Sequence, residues 1–246
     1  MRVMRDGRRV TVEVTADGAG LVSHAGAALL AGVADKVGLT NALSLRLAVL
    51  KARRRGHDPG RVIRDLAVML ADGGECVSDL GAVREQESLL GRVASDSTAF
   101  RVIDRVASEP GLLDALRSAH ARARERFWER HGVPERLTID VDATLITAHS
   151  EKELAAGNYK GGYGFHPLVA YADETREALG GLLRPGNAGS NTAADHVAVL
   201  DLALEQIPAR YNERIEILVR ADTAGATHGL LDYSATRTCG SRSATS

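Results

Sequence analysis

Residues Leu137–Ile146 read LTIDVDATLI, an apolar stretch rich in β-branched residues that also carries two carboxylates. This composition predicts a strand. Side chains at positions i and i+2 of a strand lie on the same face, so we expect Asp140 and Asp142 side by side. Two like charges do not stabilise an apolar strand, and each needs solvent, a partner or a cation. Carboxylate oxygens suit a divalent metal ion, although a strand with an acidic solvent-facing side would show the same pattern.

Two further apolar runs predict strands after the first one. They span Phe165–Tyr171 and residues around Ala178–Leu183, and short polar turns separate the segments. Three strands joined by short turns are expected to form an antiparallel meander.

A helix and a fourth strand complete this pattern. The helix opens at Thr192, with Asp195 in capping-box spacing, and the fourth strand covers Ile215–Arg220. A helical crossover returns a parallel strand beside the first. This is the order in which a ribonuclease-H-like fold begins, and it would place Asp222 beside Asp142, as a shared metal site requires.

The region before Pro134 has helical periodicity over most of its length. Residues 1–20 instead alternate apolar and polar side chains and predict a hairpin around Asp17-Gly18. We expect an α+β protein with three parts, in which a mainly helical region precedes an incomplete ribonuclease-H-like α/β core. The predicted bounds are 1–133 for the helical region, 134–233 for the core and 234–246 for an aberrant or disordered tail.

A strong helix-start signal lies at Ser95–Thr98, since a hydroxyl oxygen there can cap the first free amides. The helix is expected to place Arg101 and Arg105 on its wetter side. Its expected apolar side consists of Phe100, Val102, Ile103 and Val106.

Composition limits the classes of protein to which the chain can belong. It has 246 residues, of which 44% are hydrophobic and 26% charged, with a formal net charge of −1. These values fit a globular protein of one or two domains with local basic patches, not a uniformly basic surface. Cys76 and Cys239 show no metal-ligand spacing and predict no disulfide framework. Neither a signal core nor an apolar run of the ~20 residues that a membrane helix needs is present, so we expect a cytoplasmic protein with no membrane partner.

Several short motifs recur in one known family. In the second half of the chain the matching pieces are 139–144 (IDVDAT), 147–153 (TAHSEKE), 164–168 (GFHPL), 183–192 (LRPGNAGSNT) and 219–225 (VRADTAG). Upstream, the matching pieces are 57–60 (HDPG), 70–74 (LADGG) and 94–95 (AS), together with Thr98 and Arg101. Together they resemble the DDE transposases of bacterial insertion sequences, specifically the insertion-sequence 1380 family. The resemblance extends over most of the chain, to about Tyr233.

The resemblance implies DNA transposition. In that family three carboxylates hold two divalent ions, Mg²⁺ or Mn²⁺, for in-line attack at a phosphodiester. The first family Asp stands two residues before a Thr, which assigns it to Asp142 with Thr144, and the second corresponds to Asp222. Asp140 receives an accessory role. The implied partner is transposon-end double-stranded DNA, bound by a homodimer or a larger synaptic complex.

The third acid has no clear counterpart. In the family it is a Glu on a helix well downstream of the second Asp, whereas this sequence ends at Ser246. The segment Tyr211–Glu216 superficially resembles the motif of that helix but precedes the fourth strand, so the role is not transferred to it. Residues 234–246 have no apolar period. We therefore expect a truncated, catalytically incomplete copy, with a disordered native tail as the alternative.

The N-terminal region is expected to bind DNA. Residues 79–107 are compatible with a helix-turn-helix that turns Arg101 and Arg105 toward DNA. A plain helical bundle with solvated arginines explains this pattern equally well, and a run of basic residues is more often a solvated loop than a phosphate-binding one. Further candidates for phosphate contacts are Arg53, Arg54 and Arg55.

Two other functions fit parts of the sequence. The pattern Asp140-x-Asp142-x-Thr144 also occurs in haloacid-dehalogenase-like phosphatases, with the first Asp as nucleophile and the second as general acid. That fold alternates strands with helices, whereas three strands follow one another here. A fragment with a DNA-binding region and an incomplete site would instead bind transposon ends without cutting them, as an inhibitor or an inert remnant.

Overall fold

The computed structural model describes residues 2–5, 8–11, 25–51, 55–189, 192–211, 214–222, 229–230 and 232–233. The chain divides into two compact units, Met1–Arg130 and His131–Ser246. Helices dominate the first unit and sheets the second, so the predicted mixture of helix and sheet is confirmed. Within the described ranges, no helix is long and apolar enough to cross a membrane.

A short antiparallel hairpin begins the first unit. β1 (Arg2–Arg5) pairs with β2 (Arg8–Thr11), and Arg5 lies opposite Arg8. The sequence predicted the hairpin turn at Asp17-Gly18, whereas the described pairing brings Arg2–Arg5 against Arg8–Thr11. Asp17-Gly18 itself lies outside the described residues.

Helices of very different length make up the remainder of this unit. Their bounds are α1 Ala25–Lys36, α2 Leu39–Arg46, α3 Pro59–Ala71, α4 Leu80–Glu85, α5 Glu87–Leu90, α6 Asp96–Ser108 and α7 Leu112–His131. Side chains from most of these helices share one apolar core, in which Leu47, Leu80 and Val62 are fully buried.

The start of α3 shows what the motif at 57–60 does locally. Asp58 Oδ1 accepts hydrogen bonds from the amides of Gly60 (2.8 Å) and Arg61 (3.1 Å) and from Ser44 Oγ (2.8 Å). Pro59 occupies the first helical position, where its missing N–H is harmless. A Cβ on Gly60 would lie 2.2 Å from the backbone nitrogen of Ser44, so glycine allows α2 and α3 to approach. This motif therefore has a structural function.

Helix α6 begins directly after Ser95, as predicted, but its buried side differs from the prediction. Ala99, Val102 and Val106 are buried, whereas Phe100 is 61% exposed and Ile103 is 38% exposed. The buried residues recur every three or four positions, as one helical face requires. Phe100 and Ile103 each lie one residue beyond that face, so assigning them to the apolar side was wrong.

The second unit is built on a four-stranded sheet with the order β8-β7-β3-β9. β3 pairs antiparallel with β7 and parallel with β9, and β7 and β8 are antiparallel. Among the described strands, β9 is therefore at one edge of the sheet. All four strands lie within a few residues of their predicted positions. Their bounds are β3 Arg136–Ala143, β7 Leu168–Ala172, β8 Glu177–Leu182 and β9 Glu216–Ala221.

Helix α8 (Ala193–Glu205) provides the crossover to β9 and covers one face of the sheet. A Cβ on Gly180 would lie 3.0 Å from Cβ of Leu202, so glycine allows the helix to pack closely on β8. Gly180 pairs with Ala170, which pairs with Val141, and this places Val141 on the covered face. Asp140 and Asp142 therefore lie on the opposite face.

The predicted capping box at the start of α8 does not form. Thr192 stands at the N-cap position but makes no side-chain capping hydrogen bond. Asp195 instead contacts Arg184 Nη1 at 3.2 Å. An arginine buried nearby is a stronger partner for a carboxylate than a single backbone amide.

A smaller sheet lies between β3 and β7 in the sequence. It has the order β4-β6-β5, with bounds β4 Ile146–Thr147, β5 Ala156–Gly157 and β6 Tyr163–Phe165. The sequence predicted single strands over 137–146 and 165–171. In the structure the end of the first (Ile146) and the start of the second (Phe165) belong instead to this smaller sheet. It begins three residues after β3 ends and so lies next in sequence to Asp142.

Candidate functional site

Strand β3 changes from buried to exposed along the face that α8 does not cover. Thr138 is 6% exposed, the Asp140 side chain is 30% exposed, and Asp142 is exposed. On the opposite face Ile139 and Val141 stay almost completely buried. The apolar core therefore holds the strand in place while its acidic side chains emerge toward solvent.

The sheet register brings Asp142 and Asp222 to neighbouring positions. In the parallel pairing of β3 with β9, Val141 lies opposite Ala221. Asp142 and Asp222 each follow directly, and both are exposed. Asp142 Oδ1 accepts a hydrogen bond of 2.8 Å from the amide of Ala143. Two carboxylates 80 positions apart in the sequence thus come from adjacent strand ends.

Asp140 has a different partner. Arg220 Nε donates to Asp140 Oδ1 at 2.5 Å and Arg220 Nη2 donates to Asp140 Oδ2 at 2.6 Å, so the contact is bidentate. Arg220 Nη2 also lies 3.2 Å from Asp173 Oδ2. The hydrogen bond and charge of Asp140, followed by Asp173, raise the pKa of Arg220. Arg220 is therefore a cation whose charge is shared by Asp140 and Asp173.

The Asp142–Asp222 pair has the donor chemistry that Mg²⁺ or Mn²⁺ uses. These ions take oxygen ligands, and Mg²⁺ is commonly bound by one or two carboxylates with water and substrate phosphate. In the described portion of the chain, no cluster of three or more His, Cys, Asp or Glu side chains could enclose a metal. The pair fits an open ion site that other oxygens complete, not a closed structural one.

The family of the chain follows from its sequence as a whole. The family model described as Transposase DDE domain group 1 matches residues 4–241. The chain belongs to this DDE family.

Comparison with solved structures gives distant likenesses. A Mos1 transposase paired-end complex with left transposon end is 14% identical with a TM-score of 0.29, and the match covers 76% of this chain and 60% of that one. A Mos1 mariner paired-end complex with Mn is also 14% identical with a TM-score of 0.29, covering 78% and 62%. The chain thus spans about 60% of the length of these Mos1 chains. No curated protein matches it.

Two further motif residues of this DDE-family chain have structural partners. His166 is 3% exposed, and its Nδ1 lies 2.9 Å from the carbonyl oxygen of Ala188. Arg184 is 2% exposed and donates to the carbonyl oxygens of His166 and Gly189, both at 3.0 Å, besides its contact with Asp195. These bonds tie the loop after β8 to the segment before β7. Both side chains are too deeply buried to contact DNA in this conformation.

The predicted DNA-binding arginines differ in their surroundings. Arg53 and Arg54 lie outside the described residues, while Arg55 is exposed. Arg101 is exposed and donates to Thr98 Oγ1 at 3.1 Å. Arg105 donates to Glu109 Oε1 at 2.5 Å, and this contact raises the pKa of Arg105. Arg105 would have to break its ion pair with Glu109 in order to contact a phosphate. Arg101 would give up only a hydrogen bond to the uncharged hydroxyl of Thr98.

Sequence reasoning missed Arg220 and Asp173. A signal for Arg220 was present, since it stands two residues before Asp222 as Asp140 stands two before Asp142. If two parallel strands place Asp142 beside Asp222, the residues two positions earlier, Asp140 and Arg220, also lie beside each other. No comparable signal pointed to Asp173, which reaches Arg220 from the turn after β7.

Proposed function

We propose that this chain is a DNA transposase of the insertion-sequence 1380 family, acting in the cytoplasm by metal-dependent phosphodiester cleavage and strand transfer. The main support is the alignment of Asp142 and Asp222 at the ends of two paired strands, in a chain of the DDE family. The proposal includes a ribonuclease-H-like core over 134–233 and a DNA-binding helical region over 1–133.

The two aligned acids bind a divalent ion, Mg²⁺ or Mn²⁺. When bound, the ion supplies activation of a water or 3′-hydroxyl and neutralises charge on the leaving oxygen. Asp142 and Asp222 hold it through carboxylate oxygens, and their exposure leaves room for a DNA phosphate. Asp140 does not bind the ion in this proposal, because Arg220 occupies both of its oxygens.

Transposon-end double-stranded DNA is the proposed substrate. Phosphate contacts come from the helical unit, with Arg101 and Arg55 as exposed candidates and Arg53 and Arg54 as further ones. Transposition joins two DNA ends, so a homodimer or a larger synaptic complex is part of the proposal. The proposal assigns no third acid.

Strand cleavage tests this proposal. The purified full chain is incubated with Mg²⁺ or Mn²⁺ and a duplex that carries the terminal inverted repeat flanking its gene. We expect cleavage at the end of the repeat and a loss of about a hundredfold or more in Asp142→Asn and Asp222→Asn, with DNA binding retained. Glu216→Gln is the matched control, because Glu216 is an acid at the opposite end of β9.

The remaining outcomes separate the other functions. Specific binding of the duplex without cleavage in either metal would mean an end-binding fragment with an incomplete site. Hydrolysis of p-nitrophenyl phosphate that depends on Asp140, without DNA cleavage, would favour a haloacid-dehalogenase-like phosphatase. Equal cleavage by the parent chain and Asp142→Asn would refute the assigned acids.

A further inference from the structure

Four charged side chains lie at two successive register positions of β3 and β9. Asp140 is opposite Arg220, and one strand step of two residues farther come Asp142 and Asp222. Two residues along a strand correspond to about 7 Å. A long guanidinium side chain at position 220 can therefore reach the carboxylates at either register position.

In the structure, Arg220 turns away from the Asp142–Asp222 pair. Both of its shortest contacts go to Asp140, and its third goes to Asp173. The amide of Asp173 donates to the carbonyl oxygen of Thr138 at 2.9 Å, so Asp173 lies beside Thr138. Thr138 precedes Asp140 in β3, whereas Asp142 follows it. The guanidinium is thus held toward the beginning of β3.

The direction of Arg220 matters because of what a guanidinium does beside carboxylates. Arginine forms bidentate, charge-assisted pairs with carboxylates and does not lose its proton. If Arg220 moved by one register position, it would compete with a divalent cation for the same oxygens. Its present contacts satisfy the guanidinium at a position where it does not compete.

We propose that Asp140 and Asp173 are positioning residues that hold Arg220 away from Asp142 and Asp222 and thereby keep that pair able to bind a divalent cation. This inference rests on the proposed function of the Asp142–Asp222 pair. The arginine and Asp140 side chains are 49% and 30% exposed, and ion pairs so exposed contribute little to fold stability. The Asp140–Arg220 pair therefore acts by fixing the position of the guanidinium and not by stabilising the fold.

A double-mutant cycle on Mn²⁺ binding tests the inference. The dissociation constant of Mn²⁺ is measured on the full chain by electron paramagnetic resonance of the free ion, for the parent, Asp140→Asn, Arg220→Gln and the double variant. We expect Asp140→Asn to weaken binding on the order of tenfold when Arg220 is present, and less than about twofold in the Arg220→Gln background.

Equal weakening in both backgrounds would overturn the inference, because it would make Asp140 a metal ligand or a mere source of negative charge. The matched control is Glu216→Gln, which breaks the Arg136–Glu216 ion pair of 3.0 Å between the same two strands. This variant also removes one negative charge, but at the end of β9 away from Asp222, so Mn²⁺ binding should be unchanged.

A crystal structure of Asp140→Asn reads the position of Arg220 directly and without metal. We expect the guanidinium of Arg220 to contact Asp142 and Asp222 in this variant. The double variant Asp140→Asn/Asp173→Asn also removes the second acceptor, in case Asp173 alone holds the guanidinium in place. An arginine that turns to solvent in both variants would refute the positioning role. Failure of the proposed function looks different, because Mn²⁺ binding by the parent chain would then be absent or unaffected by Asp142→Asn.

Discussion

Each of the two units contains an arginine–aspartate ion pair, and the two pairs differ in burial. Arg64 and Asp65 of α3 have side chains only 5% and 4% exposed, whereas Arg220 and Asp140 are 49% and 30% exposed. The Nη2–Oδ1 contact of the first pair is 2.5 Å, and Arg64 Nη1 also lies 3.5 Å from Asp35. Similar contacts thus occur in very different surroundings.

This difference in burial changes what each pair can contribute to the stability of the fold. Removing one member of a buried pair leaves an uncompensated charge in the core, whereas an exposed pair contributes at most about 1 kcal/mol. Burial raises the pKa of Asp65, and the charge and hydrogen bonds of Arg64 oppose that rise. The exposed pair carries no comparable desolvation cost, so its geometry can serve the site on the sheet.

The largest effect is expected at the buried pair. Asp65→Asn should lower the free energy of unfolding of the helical unit by about 3 kcal/mol, because Arg64 stays buried without its main counter-charge. Trp128 is the single tryptophan of the chain, lies in this unit and is 2% exposed. Its fluorescence in urea therefore reports the unfolding. Exposed Asp104→Asn on α6 is the control, and equal shifts in both variants would contradict the distinction.

A much smaller effect on stability is expected at the exposed pair. Asp140→Asn should change the stability of the sheet unit by less than about 1 kcal/mol, since solvent already screens both groups. Hydrogen exchange of the β3 amides measures this without an optical probe. A loss as large as that from Asp65→Asn would show that the Asp140–Arg220 pair is structural after all.

The smallest effect is expected in the pH dependence of stability and involves His57, which precedes Asp58 in the motif that begins α3. Burial, followed by the charges of Arg92 and Arg61, lowers the pKa of His57 from 6.5. A base with a lowered folded-state pKa contributes stability that is complete above the unfolded value and is lost as the pH falls through the folded value. The urea midpoint of the Trp128 signal should therefore drop slightly between about pH 7.5 and pH 5.5, less so in His57→Gln. Identical pH dependence in both proteins would remove His57 as the cause.

Strands and helix starts were predictable because local composition determines them. The apolar runs gave β3, β7, β8 and β9 within a few residues, and Ser95 correctly marked the start of α6. One error arose where a tertiary partner overrode a local preference. Asp195 left the expected capping box because Arg184, buried in the neighbouring loop, is a stronger partner.

The candidate site was predictable only in part for the same reason. Alternation within one strand aligned Asp140 with Asp142, and the order of elements suggested the approach of Asp222. The partner of Asp140 depends on the register between two strands that are far apart in the sequence. No pattern within residues 137–146 distinguishes a carboxylate that binds an ion from one that binds an arginine.

The edge position of β9 has a consequence for handling the protein. In the described part of the chain β9 pairs with β3 alone, so its other row of backbone donors and acceptors has no partner strand. Such a row can add a strand from a second molecule, and charged residues such as Glu216 and Arg220 oppose this addition. High salt screens these charges. Concentrated, salty preparations should therefore favour association along the strand that ends next to Asp222.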